Sequence, residues 1–231
     1  MSLLLLQSVF LPILLAPLVY FIGLRMGKNV GWLAFVIMLY STGLVLYSGM
    51  DNSGSLFTNT RLETYSWNPI GEFGLHLDGL SFPFAAIIMI LSTTLAVYSM
   101  PYMEHRVREE FHENKKKFSV DAMNRKMALY YSLYVIYAAG MLGTVLATNL
   151  IQFYIFFELM LIPSFFLISE FGYGERAKIS VMYFLWTHVG AVSLLAGILT
   201  VGYFGGSFNF AEIAESGLPN SIRIWVAIAI S

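Results

Sequence analysis

Two ionisable side chains, Glu158 and His188, stand alone in long apolar stretches of this 231-residue chain. Glu158 follows Asn149 in an apolar run, and at ~1.5 Å per helical residue it lies roughly 13 Å from the start of that helix. This depth is close to the middle of a hydrocarbon core about 30 Å thick, where an acidic group costs a few kcal/mol and is rare. The residue type and its depth therefore predict a proton or ion relay.

Three other residues are candidates for the same site. His188 lies in the next apolar run, and two antiparallel helices would bring it to the depth of Glu158, where both groups can titrate near neutral pH. Tyr154, one turn before Glu158, is a weaker candidate for a relay residue. Pro163 follows Glu158 by five residues. Its ring removes the hydrogen bond to the Leu159 carbonyl and kinks the helix, and the freed carbonyl can hold water.

Each of these candidates also has a purely structural interpretation. Glu158 as a neutral acid, or His188 as a satisfied donor, would only hydrogen-bond between helices. Tyr154 fits an aromatic packing position, and Pro163 fits a packing kink that neighbouring helices tolerate.

The composition identifies the class of protein. Hydrophobic residues make up 58% of the chain and charged residues 12%, about half the usual charged fraction. A polytopic membrane protein with an all-α transmembrane bundle is predicted. The absence of cysteine excludes iron–sulfur clusters and zinc-thiolate sites, and no nucleotide-binding loop or metal-ligand cluster is recognisable. We therefore expect no cofactor on this chain and no nucleic-acid partner.

The elements that must position these residues are apolar spans within one transmembrane domain, residues 1–231. Six full spans and the start of a seventh are predicted, at about 3–24, 30–49, 80–103, 127–147, 149–170, 179–204 and 222–231. Gly140 and Gly143 give the fourth span a face of small residues for close helix contact. Basic residues concentrate in alternate connections, so the positive-inside rule predicts an outside N-terminus and cytoplasmic basic loops.

Three connections carry local signals. Residues 64–77 are predicted to form a hairpin around Asn68-Pro69-Ile70-Gly71. Residues 207–218 are predicted to form an amphipathic surface helix, with Asn209 and Glu212 as a capping box and Gly217-Pro219 as its stop. The mixed charges of residues 104–126 indicate a solvated, partly helical loop, with lipid-headgroup or partner-subunit contact as the alternative.

The motifs in and around these spans resemble a known family. The matching stretches are Leu77-Asp78-Gly79-Leu80-Ser81, Gln152-Phe153-Tyr154-Ile155-Phe156-Phe157-Glu158-Leu159-Met160-Leu161-Ile162-Pro163, and Glu175-Arg176-Ala177-Lys178 through Thr187-His188-Val189-Gly190. Together they resemble the proton-translocating antiporter-like subunits of respiratory complex I, in the chain M (subunit 4) branch. Mrp-type antiporter and membrane hydrogenase subunits are related to this family.

The resemblance implies a fold of about fourteen helices with two inverted repeats, of which this chain matches the N-terminal half. It also implies that Glu158 is the fifth-helix glutamate that couples to a lysine on the seventh helix. No lysine follows Lys178. A fragment, a split subunit completed by a second chain and a degenerate half-subunit are the three explanations. The family often has aspartate at the position of Asn149 and tryptophan at that of Phe157, and neither difference removes the titrating group.

The function implied is proton translocation within an NADH (or other donor):quinone oxidoreductase. In that case quinone and iron–sulfur clusters are expected on partner subunits, and the chain is expected in a prokaryotic cell membrane or an equivalent energy-transducing membrane. The alternatives are a sodium/proton antiporter subunit, a membrane hydrogenase subunit and a structural half-subunit without transport.

Overall fold

The structure is a computed structural model that describes residues 3–50, 60–67, 71–113 and 119–216. Within these residues six long helices dominate. They are α1 (Leu4–Met26), α2 (Val30–Gly49), α3 (Ser81–Glu113), α4 (Val120–Leu146), α5 (Leu150–Phe171) and α6 (Arg176–Gly205). The smaller elements are a 3₁₀ turn (Gly27–Asn29), strands β1 (Arg61–Trp67) and β2 (Gly71–Leu77), and the short helix α7 (Phe210–Ser216).

Five helical stretches in the described part of the chain are long and apolar enough to cross a membrane. The first, Leu4–Gly49, has 46 residues and contains both α1 and α2. The chain reverses direction at the 3₁₀ turn. This reversal brings Tyr40 on α2 next to Gln7 on α1, and the Tyr40 hydroxyl donates a 3.0 Å hydrogen bond to Oε1 of Gln7. The protein is therefore an integral membrane protein built mostly of helices.

Helix α4 is the centre of the bundle, since α1, α3 and α5 all pack against it. The side chains of Tyr131, Leu142 and Leu146 on α4 are fully buried. Close contact with α5 depends on Gly140, where an added Cβ would lie 3.0 Å from the Met160 amide nitrogen. Helix α6 packs mainly on α5, which leaves α5 and α6 at the edge of the bundle.

Helices α3 and α4 extend beyond the apolar ranges predicted for the third and fourth spans. Helix α3 continues to Glu113 and α4 begins at Val120, so most of the predicted loop 104–126 is helical. The expectation of solvation is wrong for Arg106, whose exposed fraction is only 5%. Ion pairs between the extended helix ends, described below, explain why the helices continue past their apolar segments.

A small sheet covers the other end of the bundle. Strands β1 and β2 form the predicted antiparallel hairpin, with Trp67 opposite Gly71, while the turn residues 68–70 lie outside the described part. The Glu63 carboxylate on β1 accepts hydrogen bonds from the amides of Leu5 and Leu6 at 3.2 and 3.0 Å. An anion there stabilises the N-terminus of α1.

The predicted surface helix is present as α7, and its N-terminus differs from the predicted capping box. Oδ1 of Asn209 accepts a 3.0 Å hydrogen bond from the Ala211 amide, as an N-cap should. A capping box would have the Glu212 side chain accept the hydrogen bond of the Asn209 amide. In the structure this amide donates to the Ser207 hydroxyl at 3.0 Å. The predicted stop at Gly217-Pro219 and the seventh span from Ile222 lie outside the described residues.

Candidate functional site

The start of helix α5 sets the depth of Glu158. Asn149 caps the helix, because its side-chain oxygen accepts hydrogen bonds from the amides of Ile151 (2.8 Å) and Gln152 (3.4 Å). The buried Gln152 side chain then donates to the Gly74 carbonyl at 2.7 Å and accepts from the Gly74 amide at 3.1 Å. This two-point contact with strand β2 fixes α5 along its axis, and so fixes the level of Glu158.

The second half of α5 contains Pro163, which is buried within the helix. Proline has no amide hydrogen, so the Leu159 carbonyl has no partner at the usual position four residues on. Gly140 of α4 packs against this segment, since an added Cβ there would lie 3.3 Å from the Leu159 carbonyl carbon. One helical hydrogen bond is thus missing at the residue after Glu158, within an otherwise continuous helix.

Glu158 and His188 face each other between α5 and α6. Oε2 of Glu158 lies 3.6 Å from Nε2 of His188, and the exposed fractions of the two side chains are 22% and 30%. The distance is slightly longer than a hydrogen bond and short enough for a strong charge interaction when the ring is protonated. Both residues lie near the middle of their helices, so the antiparallel arrangement brings them together at one depth.

The other contacts of His188 come from its own helix. Its Nδ1 lies 3.0 Å from the carbonyl oxygen of Phe184, one turn earlier. The two rings lie against each other, with centroids 3.7 Å apart and an interplanar angle of 30°. The neighbouring Thr187 hydroxyl donates to carbonyls of α6 itself. The imidazole is therefore held by α6 on one edge and faces Glu158 with the other.

Tyr154 and two hydroxyl residues complete the surroundings of the pair. The Tyr154 hydroxyl interacts electrostatically with the Glu158 carboxylate, one turn further along the same helix. On the other side of Glu158, the hydroxyls of Ser164 and Tyr183 lie 2.8 Å apart and join α5 to α6 again. The four predicted site residues thus lie in one segment of α5 and the facing turn of α6.

This arrangement is suited to moving one proton between an acid and a base. A carboxyl group and an imidazole at contact distance can share a proton as a neutral pair or as an ion pair. Among the described residues, no group of three or more His, Cys, Asp or Glu side chains is arranged to hold a metal ion.

A second set of charges, which we call the ion cluster, comprises Arg106, Glu110, Lys126 and Arg176. Oε1 of Glu110 lies 2.8 Å from Arg176, and Oε2 is in close contact with Lys126. Arg106 donates to the carbonyls of Phe171 (3.4 Å) and Gly172 (2.6 Å). The ion cluster thereby connects α3 and α4 to the end of α5 and the start of α6.

The roles of Gln152 and Arg106 were not predicted from the sequence. Gln152 had a usable signal, because an amide in an apolar run needs hydrogen-bond partners when it is buried. Arg106 had none, since it lies among many charges in a segment whose apolar character has ended.

Comparison with known proteins agrees with the resemblance inferred from the motifs. Residues 147–230 match the family model described as NADH:quinone oxidoreductase/Mrp antiporter, TM. Residues 67–112 match the model described as NADH-Ubiquinone oxidoreductase (complex I), chain 5 N-terminus.

Individual relatives cover most of the chain. NAD(P)H-quinone oxidoreductase chain 4 2 of Thermosynechococcus vestitus is 29% identical over 91% of this chain and 36% of its own. NADH-quinone oxidoreductase subunit M of Rhodobacter capsulatus is 26% identical over 92% of this chain and 38% of its own. Na(+)/H(+) antiporter subunit A1 of Staphylococcus haemolyticus is 29% identical over 89% of this chain and 24% of its own. The chain thus spans less than half the length of these relatives.

Solved structures share the fold. One chain in the structure of respiratory complex I from Thermus thermophilus matches 97% of this chain over 42% of its own length, with a TM-score of 0.73 and 21% identity. One chain in the structure of the Mrp complex from Dietzia sp. DQ12-45-1b matches 97% of this chain over 22% of its own length, with a TM-score of 0.75 and 21% identity. The solved structures therefore show the fold. The family models and the relatives bear out the resemblance to the antiporter-like subunits of complex I and the Mrp antiporters.

Proposed function

We propose that this chain forms part of a proton-translocating membrane subunit of a quinone oxidoreductase complex, and that Glu158 and His188 exchange the proton. The observation that carries the proposal is the 3.6 Å approach of Oε2 of Glu158 to Nε2 of His188 in the middle of two candidate spans. Ionisable residues at such a depth are costly and usually functional.

The proton equilibrium of the pair responds to its electrostatic surroundings. Electron transfer in partner subunits changes the local field and the hydration, and this shifts the proton between the carboxyl group and the imidazole. Tyr154 orients the Glu158 carboxylate through their electrostatic interaction. The Leu159 carbonyl, which lacks its usual partner because of Pro163, offers an acceptor for water beside the carboxylate.

The Glu158–His188 pair also requires a further protein segment to shield it from lipid. Both side chains keep part of their surface exposed at the edge of the bundle, and a charge exposed to lipid at this depth is strongly unfavourable. A neighbouring helix that carries a cation would cover Glu158 and complete the site. In the family this would be the seventh helix with its lysine, supplied by a continuation of the chain or by a second chain.

We infer six crossings for helices α1 to α6, with the 3₁₀ turn dividing the first stretch into two. The basic connections are assigned to the cytoplasm and the N-terminus to the outside, in a prokaryotic cell membrane or its equivalent. On this assignment the ion cluster is cytoplasmic and the hairpin lies outside. The six helices belong to one half of an inverted-repeat fold.

The chain contributes to the enzyme complex without a redox site of its own. Quinone and iron–sulfur clusters belong to partner subunits, and lipid covers the remaining apolar surface. The similarity to complex I, Mrp and sulfane sulfur reductase assemblies supports other membrane subunits as partners.

Substitution of Glu158 with Gln tests the proposal. Glutamine keeps the shape and cannot exchange a proton, so the purified complex in vesicles should lose more than about nine-tenths of its proton flux, as loss of an essential proton carrier implies. Glu170→Gln, on the same helix near its end, is the matched control and should keep normal flux. Parental flux in the Glu158→Gln complex would overturn the proposal.

A sodium/proton antiporter subunit is the second candidate. The Staphylococcus antiporter subunit is 29% identical to this chain, as is the Thermosynechococcus quinone oxidoreductase chain. Replacement of sodium by choline distinguishes the two functions. The antiporter is favoured if the proton flux stops without sodium and continues without quinone reductase activity.

A structural or hydrogenase-linked subunit gives other results. If the chain is only structural, Glu158→Gln has no effect on flux, and Gly140→Leu blocks assembly because its side chain meets the backbone of α5. If the chain serves a hydrogenase, proton flux follows hydrogen evolution instead of quinone reduction.

A further inference from the structure

The two edges of the His188 imidazole face chemically different groups. Its Nδ1 lies 3.0 Å from the Phe184 carbonyl oxygen, whereas its Nε2 lies 3.6 Å from Oε2 of Glu158. A carbonyl oxygen accepts hydrogen bonds and does not donate them, so Nδ1 carries a hydrogen atom. In the neutral ring, Nε2 therefore bears the lone pair, and this lone pair faces Glu158.

We propose that His188 is a reversible proton store for Glu158, filled and emptied through Nε2 alone, with Phe184 as the residue that positions it. This inference rests on the proposed function and specifies the role of one of its residues. When the store fills, the O–H bond of the Glu158 carboxyl group breaks and an Nε2–H bond forms. A carboxylate then faces an imidazolium ring, and emptying reverses both changes.

Storage differs from conduction through the ring. A histidine that conducts a proton takes it on one nitrogen and releases another from the opposite nitrogen, so both nitrogens need acceptors. The Nδ1 hydrogen points at a backbone carbonyl of the same helix, which cannot take the proton away. The same proton must therefore leave by the edge at which it entered.

The side chain of Phe184 keeps the ring in this orientation. Its ring lies against the imidazole at a centroid distance of 3.7 Å, and Phe165 of α5 supports it from the other helix at 5.1 Å. A half-turn of the imidazole about its Cβ–Cγ bond would break the contact between Nδ1 and the Phe184 carbonyl and turn Nε2 away from Glu158, and the ring would have to leave the stacked position on the way. The aromatic face also accommodates the positive charge of the filled store.

Nitrogen NMR of the intact complex with ¹⁵N-labelled histidine tests the store directly. The signals of His188 are those lost in a His188→Gln complex. We expect the neutral ring to carry its hydrogen on Nδ1, and the filled store to carry hydrogens on both nitrogens. A neutral ring with its hydrogen on Nε2, or comparable amounts of both tautomers, would overturn the inference.

Phe184 variants test the positioning role. Phe184→Leu should give a mixture of tautomers and about tenfold lower proton flux, a smaller loss than the roughly 10²–10⁴-fold that a positioned acid–base group contributes, because the imidazole itself remains. Phe184→Tyr should restore both, because it keeps the stacked ring. Phe204→Leu is the matched control, since Phe204 is a half-exposed α6 residue that packs on Tyr203.

The outcomes separate this inference from the proposed function. A Phe184→Leu complex with a single tautomer and parental flux, beside an inactive Glu158→Gln complex, overturns the positioning role and leaves the proton exchange intact. A fully active Glu158→Gln complex overturns the proposed function and the store together.

Discussion

Glu158 and Glu110 both face basic groups from other helices, and the two surroundings differ in whether the charge of that basic group is permanent. Glu110 lies between Lys126 and Arg176, two groups that stay charged at neutral pH, with its Oε1 2.8 Å from Arg176. Glu158 faces an imidazole at 3.6 Å, and the charge of that imidazole depends on one proton. Permanent cations fix the charge of Glu110 and make it a link between helices. A titratable partner leaves the charge of Glu158 variable, as proton exchange requires.

Substitution of Glu110 with Gln should have the largest effect on stability. The variant leaves Lys126 and Arg176 without their shared counter-charge, at a cost on the order of 2 kcal/mol, below the value for a fully buried pair. The discount reflects exposed fractions of 14% for Glu110, 23% for Lys126 and 28% for Arg176. Thermal unfolding of the purified complex should show a lower Tm, with the proton flux per assembled complex unchanged.

The control for this comparison is Glu109→Gln, because the Glu109 side chain is 42% exposed and its ion pairs are long. Such surface pairs contribute about 0 to 1 kcal/mol, so its Tm should stay close to that of the parent. An unchanged Tm together with lost flux in the Glu110 variant would instead assign proton chemistry to the ion cluster.

The two regions also differ in how far the sequence predicts them. Glu158 and His188 are conspicuous because ionisable residues are rare in apolar spans, and consecutive antiparallel helices bring equal depths together. The ion cluster joins residues 16 and 66 positions apart in the chain, and only the packing of four helices determines which charges meet. Hydropathy locates the apolar core of a helix, so it could not predict that α3 continues to Glu113.

The hydrogen-bonding partner of His188 shows the same limit on a smaller scale. The order of residues brings Phe184 one turn before His188, where its carbonyl is within reach of a side chain on the same face. The choice between that carbonyl and a donor on another helix depends on side-chain rotamers and on the Phe165 ring, which the sequence does not specify.

Arg106→Lys should have a smaller effect, confined to the connection between α5 and α6. The Arg106 guanidinium donates to two carbonyls at the end of α5 and lies 4.0 Å from the centre of the Tyr173 ring. A lysine ammonium cannot make the forked contact and the stacking together. We expect amide hydrogen exchange at residues 171–176 to become about tenfold faster, equivalent to ~1.4 kcal/mol.

Arg108→Lys provides the comparison for this measurement, since Arg108 is 52% exposed and pairs with Glu104 on its own helix. Its effect on exchange at the α5–α6 connection should be negligible. Equal exchange rates in the parent and the Arg106 variant would show that the ion cluster does not hold this connection, and would remove its structural contrast with Glu158.

Asp78→Asn should have the smallest effect, because backbone amides fix the charge of this third carboxylate. Oδ1 of Asp78 accepts hydrogen bonds from Ser81 (2.7 Å) and Leu80 (3.0 Å), and the Ser81 amide holds the pKa of the carboxyl below its ordinary value. A lowered pKa in the folded state means that the stabilisation is complete above the unfolded-state pKa, about 3.9, and is lost as the pH falls through the folded-state pKa. Asparagine still caps α3 without the charge, so the variant should lose less than about 1 kcal/mol at pH 7 and become equal to the parent in strong acid. Thermal unfolding at pH 7 and in strong acid, below the folded-state pKa, measures both differences. A constant difference in Tm at both pH values would mean that Asp78 acts through its shape and not through its charge, unlike Glu110 and Glu158.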